Sequence, residues 1–277
     1  MAVWLRGDLY RAAIILHHEL VPNPATFFSI KPVTSPRFFS AFPLPRPCTP
    51  GTTFNVGEAV ARHWQVLRFA GGEAITLFDG AGGEFSATIE TIGKRDATVI
   101  LNRFDPVERE APIRITLVQA LATADKMDLI VQKAVELGVT DIAPIATARG
   151  TLKLEGERAE KRVLHWQAIA VAACEQCGRN RVPLVHAVQT LDQWLKSVRG
   201  LSVLLHPLAE KSLMGSVDAT KPVALLIGPE GGFTSEEITR AVAHGVIPAK
   251  FGPRTLRTET AGLAAIAALG ACFGDLV

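Results

Sequence analysis

The chain reads as an α/β protein, a parallel sheet with helices on both faces, behind a smaller β-rich domain. Three features of the sequence carry that expectation. Between residues 71 and 104 the strand-like runs "AITLFD", "EFSATIETI" and "ATVILNRF" follow one another, punctuated by glycine pairs at 71–72 and 82–83; this rhythm suits a small barrel or sandwich. Beyond residue 112 apolar runs alternate with helical stretches, the pattern of a parallel sheet. Pro112 stands where one rhythm gives way to the other.

Residues 1–35 have little periodic pattern and read as an N-terminal extension, either disordered or an artefact of where the start was assigned. Regularity begins at "SPRFFSAF", and a β domain is expected over residues 36–108, an α/β domain over 112–277. "IRITLVQA" suits a buried strand. Asp125 is placed to cap a helix through "KMDLIVQKAVEL", with Gly138 as its stop. "DIAPI" reads as a strand and "GERAEKRVLHWQAIAVAACEQ" as a long helix. "LSVLLH" and "VALLI" are further strands. Thr234 and Glu237 form a T-x-x-E capping box for a helix ending at Gly245. "VIPAKF" is a short strand and "ETAGLAAIAALGACF" the final helix.

Composition narrows the function classes. Hydrophobic residues make up 48% and charged residues 20% of the 277, as in soluble globular proteins. The net charge of +2 is spread along the chain, so it neither demands nor excludes a nucleic-acid partner. No apolar run reaches the roughly 20 residues that span a bilayer, and "AAIILHHEL" lacks a signal-peptide cleavage pattern. No membrane association and a cytoplasmic location are expected. Four cysteines suggest a reducing compartment. Cys174 and Cys177 form a C-x-x-C with no second pair, and read as small residues late in an alanine-rich helix. No metal site is expected.

The stretch "LLIGPEGGFTSEEI", residues 225–238, runs from a strand through a glycine loop into a helix start. A phosphate-cradling G-x-x-x-x-G-K-[ST] loop would need a lysine that is absent here. A dinucleotide G-x-G-x-x-G would need glycine where Glu230 stands. Two readings stay open: a tight strand-to-helix turn, or a close backbone approach to an uncharged or cationic ligand. In parallel sheets ligands sit beyond the C-terminal strand ends. Three loops there, after residue 206, at 228–233 and at 252–258, would make a pocket walled by Leu205, Ile227, Phe251 and Leu256. Apolar walls with backbone donors suit a purine and its ribose.

"LLIGPEGGFTSEE" followed by "FGPRTLRTETAGLAAIAAL" resembles the C-terminal signature of the SPOUT methyltransferases. Within them the chain is similar to the RsmE family, with "PRFF", "HWQVLR", "LFDGAGGEF", "DKMDLIVQKAVELGV" and "EQCGRNRVP" in family order. The resemblance leaves out only the first 35 residues. It implies a PUA-like barrel followed by a SPOUT domain whose C-terminal chain forms a trefoil knot. It further implies a homodimer, S-adenosyl-L-methionine as cofactor, and methylation of N3 of a uridine in 16S ribosomal RNA, free or in the assembled small subunit. The cofactor carries a sulfonium rather than a polyanion, so Glu230 repels nothing.

On that resemblance the cofactor-binding residues are Leu205, Ile227, Gly228, Pro229, Gly231, Gly232, Phe251, Gly252, Leu256 and Thr258. Methylating N3 requires an unpaired base, a donor for the anion developing on the carbonyl oxygens, and a proton acceptor. Arg257 and Arg179 are the candidate donors and Glu175 the candidate acceptor. Arg257 could instead pair with Glu259 and cap the last helix, and Glu175 could be a surface residue. Arg37, His63 and Arg68 in the barrel, with Lys126, are the candidate RNA contacts; His63 reads equally as a structural histidine. Trp64, Trp166 and Trp194 read as packing. Cys177 stands where the family pattern has serine, and residues 122–124 lack the family's glycine and lysine. Rival readings are a SPOUT enzyme acting on another RNA and an inactive PUA-containing RNA-binding protein.

Overall fold

The computed structural model describes residues 35–276; the expected extension at the N-terminus falls outside them, apart from Ser35. In chain order the first part holds β1 (Arg37–Phe39), β2 (Thr52–Asn55), α1 (Gly57–Leu67), β3 (Ala74–Phe78), β4 (Glu84–Ile92) and β5 (Ala97–Asp105). These strands form one sheet in the order β1-β3-β4-β5-β2. The β1–β3 pair is parallel and the remaining pairs are antiparallel. Along β4, buried Phe85, Ala87 and Ile89 alternate with more exposed neighbours, the period of two that a half-buried strand imposes.

Helix α1 was not expected in a stretch read as strands. Val60, Ala61 and Trp64 lie at helical spacing, with Ala61 and Trp64 buried, and Trp64 meets Phe38 edge to face at 5.4 Å. Burial of one such aromatic contributes about 1.5–3 kcal/mol. That outweighs the lack of any side-chain cap at the N-terminus of the helix. Arg68 ends it in the left-handed region at φ 62°.

The second part holds β6 (Ile115–Ala120), α2 (Ala124–Glu136), β7 (Asp141–Ala146), α3 (Gly156–Cys177), β8 (Leu184–Val185), β9 (Gln189–Thr190) and α4 (Leu191–Ser197). It continues with β10 (Leu201–Leu205), a 3-10 turn at Met214–Ser216, β11 (Val223–Ile227), α5 (Ser235–Ala243), β12 (Ile247–Ala249) and α6 (Thr258–Phe273). Its sheet runs β12-β10-β11-β6-β7-β8, with β9 also on β7, and every pair is parallel. Both faces are buried. Leu117, Val203 and Leu225 point into a core with α2, α3 and α6, whereas Val118, Leu204 and Leu226 point into one with α4 and α5. This is why the strands read as continuous apolar runs rather than alternating ones.

Asp125 does not cap α2: Thr123 holds the N-cap position, and Asp125 lies in the first turn, where a carboxylate favours the helix dipole. Gly138 follows the helix end at φ 89°, as a stop should. Cys174 and Cys177 are free thiols in the last turn of α3. Burial pushes Cys174 up to about 12 and raises Cys177, so neither is a ready thiolate. No described helix is long and apolar enough to cross a membrane.

The turn after α3 ties the two parts together. Arg37 donates to Glu84 at 2.5 Å and to Asn180 Oδ1 at 2.7 Å. Arg109 bridges Glu84 and the Gly178 carbonyl, each at 2.9 Å. The Phe39 N–H donates to Glu175 Oε1 at 2.9 Å.

Candidate functional site

The three loops expected beyond the strand ends converge. β10 and β11 are adjacent parallel strands, and β12 flanks β10, so the chain leaves all three on one edge of the sheet. Their loops enclose a cavity of about 600 Å³ walled by Leu205, Ile227 and Leu256 and floored by the backbone of Gly228, Pro229, Gly231 and Gly232. A smaller cavity of about 80 Å³ continues it under Phe251 and Gly252, sharing Leu205 and Leu256.

Glycine at two of these positions follows from close approach. A Cβ on Gly228 would stand 3.1 Å from the Phe233 ring, and one on Gly231 would stand 3.2 Å from Arg149 Cβ. The loop turns through a Gly232 N–H to Pro229 carbonyl bond of 2.9 Å. It then enters α5 through the expected capping box: Thr234 Oγ1 accepts from Glu237 N, and Glu237 Oε2 accepts from Thr234 N. Glu237 Oε1 accepts from Ala148 N at 2.8 Å, which fastens the loop after β7 to the same corner.

Thr258 is buried, lines the cavity as expected, and ties down its floor. Its hydroxyl donates to the Gly228 carbonyl at 2.6 Å and accepts from Gln119 Nε2 at 2.9 Å. Gln119 escaped the reading of the sequence, although one amide inside the apolar run of β6 was a visible anomaly. Its Oε1 is buried with no hydrogen-bond partner among the described residues.

Charge gathers at the rim. Lys126, from the first turn of α2, lines the cavity and sits 2.8 Å from Glu230 Oε1 and 3.4 Å from Glu259 Oε2. The Glu230 contact raises the Lys126 ammonium above its ordinary value, and the same hydrogen bond lowers the Glu230 carboxyl. Arg257 also lines the cavity, at the N-cap of α6. It does not pair with Glu259, whose charge partner is Lys126.

Other expected site residues lie elsewhere. Arg179 is buried in the turn after α3. It is ion-paired with Glu110 and donates Nη1 to the Val135 and Val139 carbonyls at 2.9 Å, so four of its five N–H groups brace this turn, away from the cleft. Glu175 accepts from Phe39 N at the junction and does not line the cavity. Burial raises its carboxyl. Arg37 is 6% exposed and spent on Glu84 and Asn180, which excludes the phosphate contact expected of it. His63 is exposed on α1 with its ring edge to face against Phe38 at 5.8 Å. Arg68 is exposed at the helix end. Among the described residues, no cluster of three or more His, Cys, Asp or Glu is placed to hold a metal ion.

A cleft with apolar walls and close-approach glycines, whose loop has no lysine of its own, fits an adenosine carrying no polyphosphate. The comparisons agree. A family model described as an RNA methyltransferase domain matches residues 109–270, and one described as an RNA methyltransferase PUA domain matches 57–102. Ribosomal RNA small subunit methyltransferase E of Buchnera aphidicola subsp. Schizaphis graminum is 34% identical over 214 residues, 76% of this chain and 87% of the relative. The structure of the corresponding enzyme from Neisseria gonorrhoeae, bound to S-adenosyl methionine, superposes with a TM-score of 0.79 at 36% identity, covering 88% of this chain and all of that one. A putative methyltransferase from Legionella pneumophila, in complex with the same cofactor, gives a TM-score of 0.82 at 38% identity over the same shares.

Proposed function

The chain belongs to the ribosomal RNA small subunit methyltransferase E family, and from that membership we propose that it methylates N3 of a specific uridine in 16S ribosomal RNA with S-adenosyl-L-methionine. The observation that supports the cofactor is the cleft of about 600 Å³ beyond the strand ends, lined by apolar Leu205, Ile227 and Leu256 and by the Gly228–Gly232 loop. Leu205, Ile227 and Leu256 would wall the adenine, and the 228–232 and 252–258 backbones would supply its polar contacts.

When bound, S-adenosyl-L-methionine supplies a methyl group on a positively charged sulfur. The chain has to hold an unpaired uracil beside it, take the N3 proton, and stabilise the negative charge that builds on the carbonyl oxygens. Arg257, lining the cleft without a carboxylate partner among the described residues, is the donor assigned to that charge. Glu230, the carboxylate that lines the cleft, replaces Glu175 as the proposed proton acceptor, because Lys126 keeps it ionised.

The rest of the reading extends the same family likeness. The first sheet would close into a PUA-like barrel over residues 36–108, and residues 112–277 would form the SPOUT domain with its C-terminal trefoil knot. The working form would be a homodimer in the cytoplasm, acting on 16S rRNA or the assembled subunit, with no membrane partner and no metal. Residue-resolved mass spectrometry of small-subunit rRNA from cells with and without the gene tests the reading. Loss of one N3-methyluridine, restored by the wild-type chain and not by Arg257→Ala, is expected. A different missing mark would overturn the substrate.

A further inference from the structure

A second cavity, of about 520 Å³, lies outside the cleft where the loop after β7 meets the start of α3. Arg158, Lys161, Arg162 and His165 line it from α3, at the i, i+3, i+4, i+7 spacing that puts them on one helix face. Lys153 lines it from the loop. Residues 151–155 alternate, so that Leu152 and Leu154 pack against the core while Lys153 is exposed. The two leucines thus fix the lysine opposite the helix stripe. No carboxylate lines the cavity.

Two of the five basic side chains are engaged, Lys161 with Glu157 at 2.7 Å and His165 with Asp128 at 3.0 Å. Lys153, Arg158 and Arg162 form no salt bridge among the described residues. The loop that carries Lys153 begins at the cleft, where Arg149 donates to the Gly231 carbonyl at 2.9 Å. Lys153 lies four positions after Arg149, a reach of at most about 14 Å. Side chains three and four apart on a helix stand about 5–6 Å from one another, a row suited to successive phosphates of a strand rather than to one compact anion.

We propose that this cavity binds phosphodiesters of the RNA strand flanking the target nucleotide, a site distinct from the cofactor cleft; the proposal rests on the methyltransferase reading above. It gives the methyltransferase half its own phosphate contacts, which the buried Arg37 cannot supply.

The test is binding of the full chain to a labelled single-stranded small-subunit rRNA fragment, without cofactor, across a salt series. Each phosphate contact on a single strand contributes about 0.7 to the slope of log K against log salt. The variant Lys153→Ala/Arg158→Ala/Arg162→Ala is expected to lose about 2 from that slope and roughly tenfold or more in affinity. Its thermal midpoint should stay unchanged, because Lys153 and Arg158 are exposed and none of the three makes a salt bridge among the described residues. A wild-type slope in that variant, or loss of slope in Arg68→Ala instead, overturns the site. Chemical modification of Arg158 by phenylglyoxal separates the sources of phosphate. Protection by the RNA and not by inorganic phosphate supports a strand, and equal protection by inorganic phosphate overturns it. Cofactor-dependent methyl transfer is measured separately. A wild-type chain that binds with the full slope but transfers no methyl group sinks the enzymatic reading alone. A triple variant that binds normally beside an active wild type sinks this site alone.

Discussion

Thr258 and Gly228 are joined by a 2.6 Å hydrogen bond from hydroxyl to carbonyl, 30 residues apart in sequence. The bond crosses from the N-terminus of α6 to the loop after β11. Gln119 completes the chain from β6, at 2.9 Å from the same hydroxyl. The floor of the cleft is therefore pinned by two neighbouring strands and the last helix.

Replacing Thr258 by valine keeps the shape and removes the hydroxyl, leaving the Gly228 carbonyl and the Gln119 amide without this partner. A buried polar group left unsatisfied costs about 1–3 kcal/mol, equivalent to roughly 5–150-fold in an affinity. Cofactor affinity measured by calorimetry is expected to fall within that range for Thr258→Val and to return with Thr258→Ser. Unchanged affinity in the valine variant would show that the loop holds itself.

Arg179 and Arg257 are both arginines beside conspicuous motifs, yet their variants should fail in opposite ways. Arg179→Met leaves Glu110 without its ion-pair partner and the Val135 and Val139 carbonyls without a donor. Breaking a buried pair from one side costs about 3–5 kcal/mol, so the urea midpoint should drop sharply. Arg257 is exposed at the cleft. Arg257→Ala should leave the midpoint in place and lower kcat by about 10²–10³, the usual loss for one charge-stabilising donor. A folded Arg179→Met enzyme with a hundredfold lower kcat would restore the catalytic role that the sequence suggested.

What the sequence could and could not reveal follows from the range of each interaction. The strands at 84–92 and 97–105 were legible because alternation is local, and the convergence of the three loops was legible because parallel topology puts strand ends on one edge. Arg37, Glu175 and Arg179 lie away from the cleft, held by partners 40 to 143 residues distant in sequence. Spacing within a motif cannot say whether a charge faces a ligand or a neighbouring part of the same chain. Helix α1 was lost for a different reason: Val60, Ala61 and Trp64 give only one short apolar patch in a stretch full of strand signals. Gln119 was passed over, although a single amide in an apolar run was the signal that could have found it.

Two carboxylates at the junction should pull stability in opposite directions with pH. At Glu84, burial alone would raise the carboxyl, but hydrogen bonds and charge from Arg109 and Arg37 outweigh it and hold it below the ordinary value. Its contribution is then present above the unfolded value of about 4.3 and is lost as pH falls through the lower folded value. At Glu175 burial dominates, against the Phe39 N–H and the charges of His63 and Arg37, and the carboxyl is raised. Its contribution is full below about 4.3 and is lost as pH rises through the folded value. Urea midpoints at pH 7 should therefore fall for Glu84→Gln and rise for Glu175→Gln, with both differences shrinking in acid. A Glu175→Gln midpoint below wild type at pH 7 would contradict the sign.

Glu230 carries the last prediction, because its environment sets both its charge and its reach. Lys126, 2.8 Å away, holds it ionised below the usual carboxylate range, so a base is available across neutral pH and well into acid. Glu230→Gln keeps the size and the hydrogen bond to Lys126 but cannot take a proton. It should lower kcat by about 10²–10⁴, the ordinary yield of general-base catalysis, while cofactor affinity stays within a few-fold. Lys126→Met removes the group that depresses the Glu230 carboxyl, so the acid limb of kcat against pH should move upward toward the ordinary carboxylate value of about 4.3. A positioning role alone would lower kcat without moving that limb. Full activity in Glu230→Gln would pass the proton to another acceptor and leave the Lys126–Glu230 pair as a clasp across the mouth of the cleft.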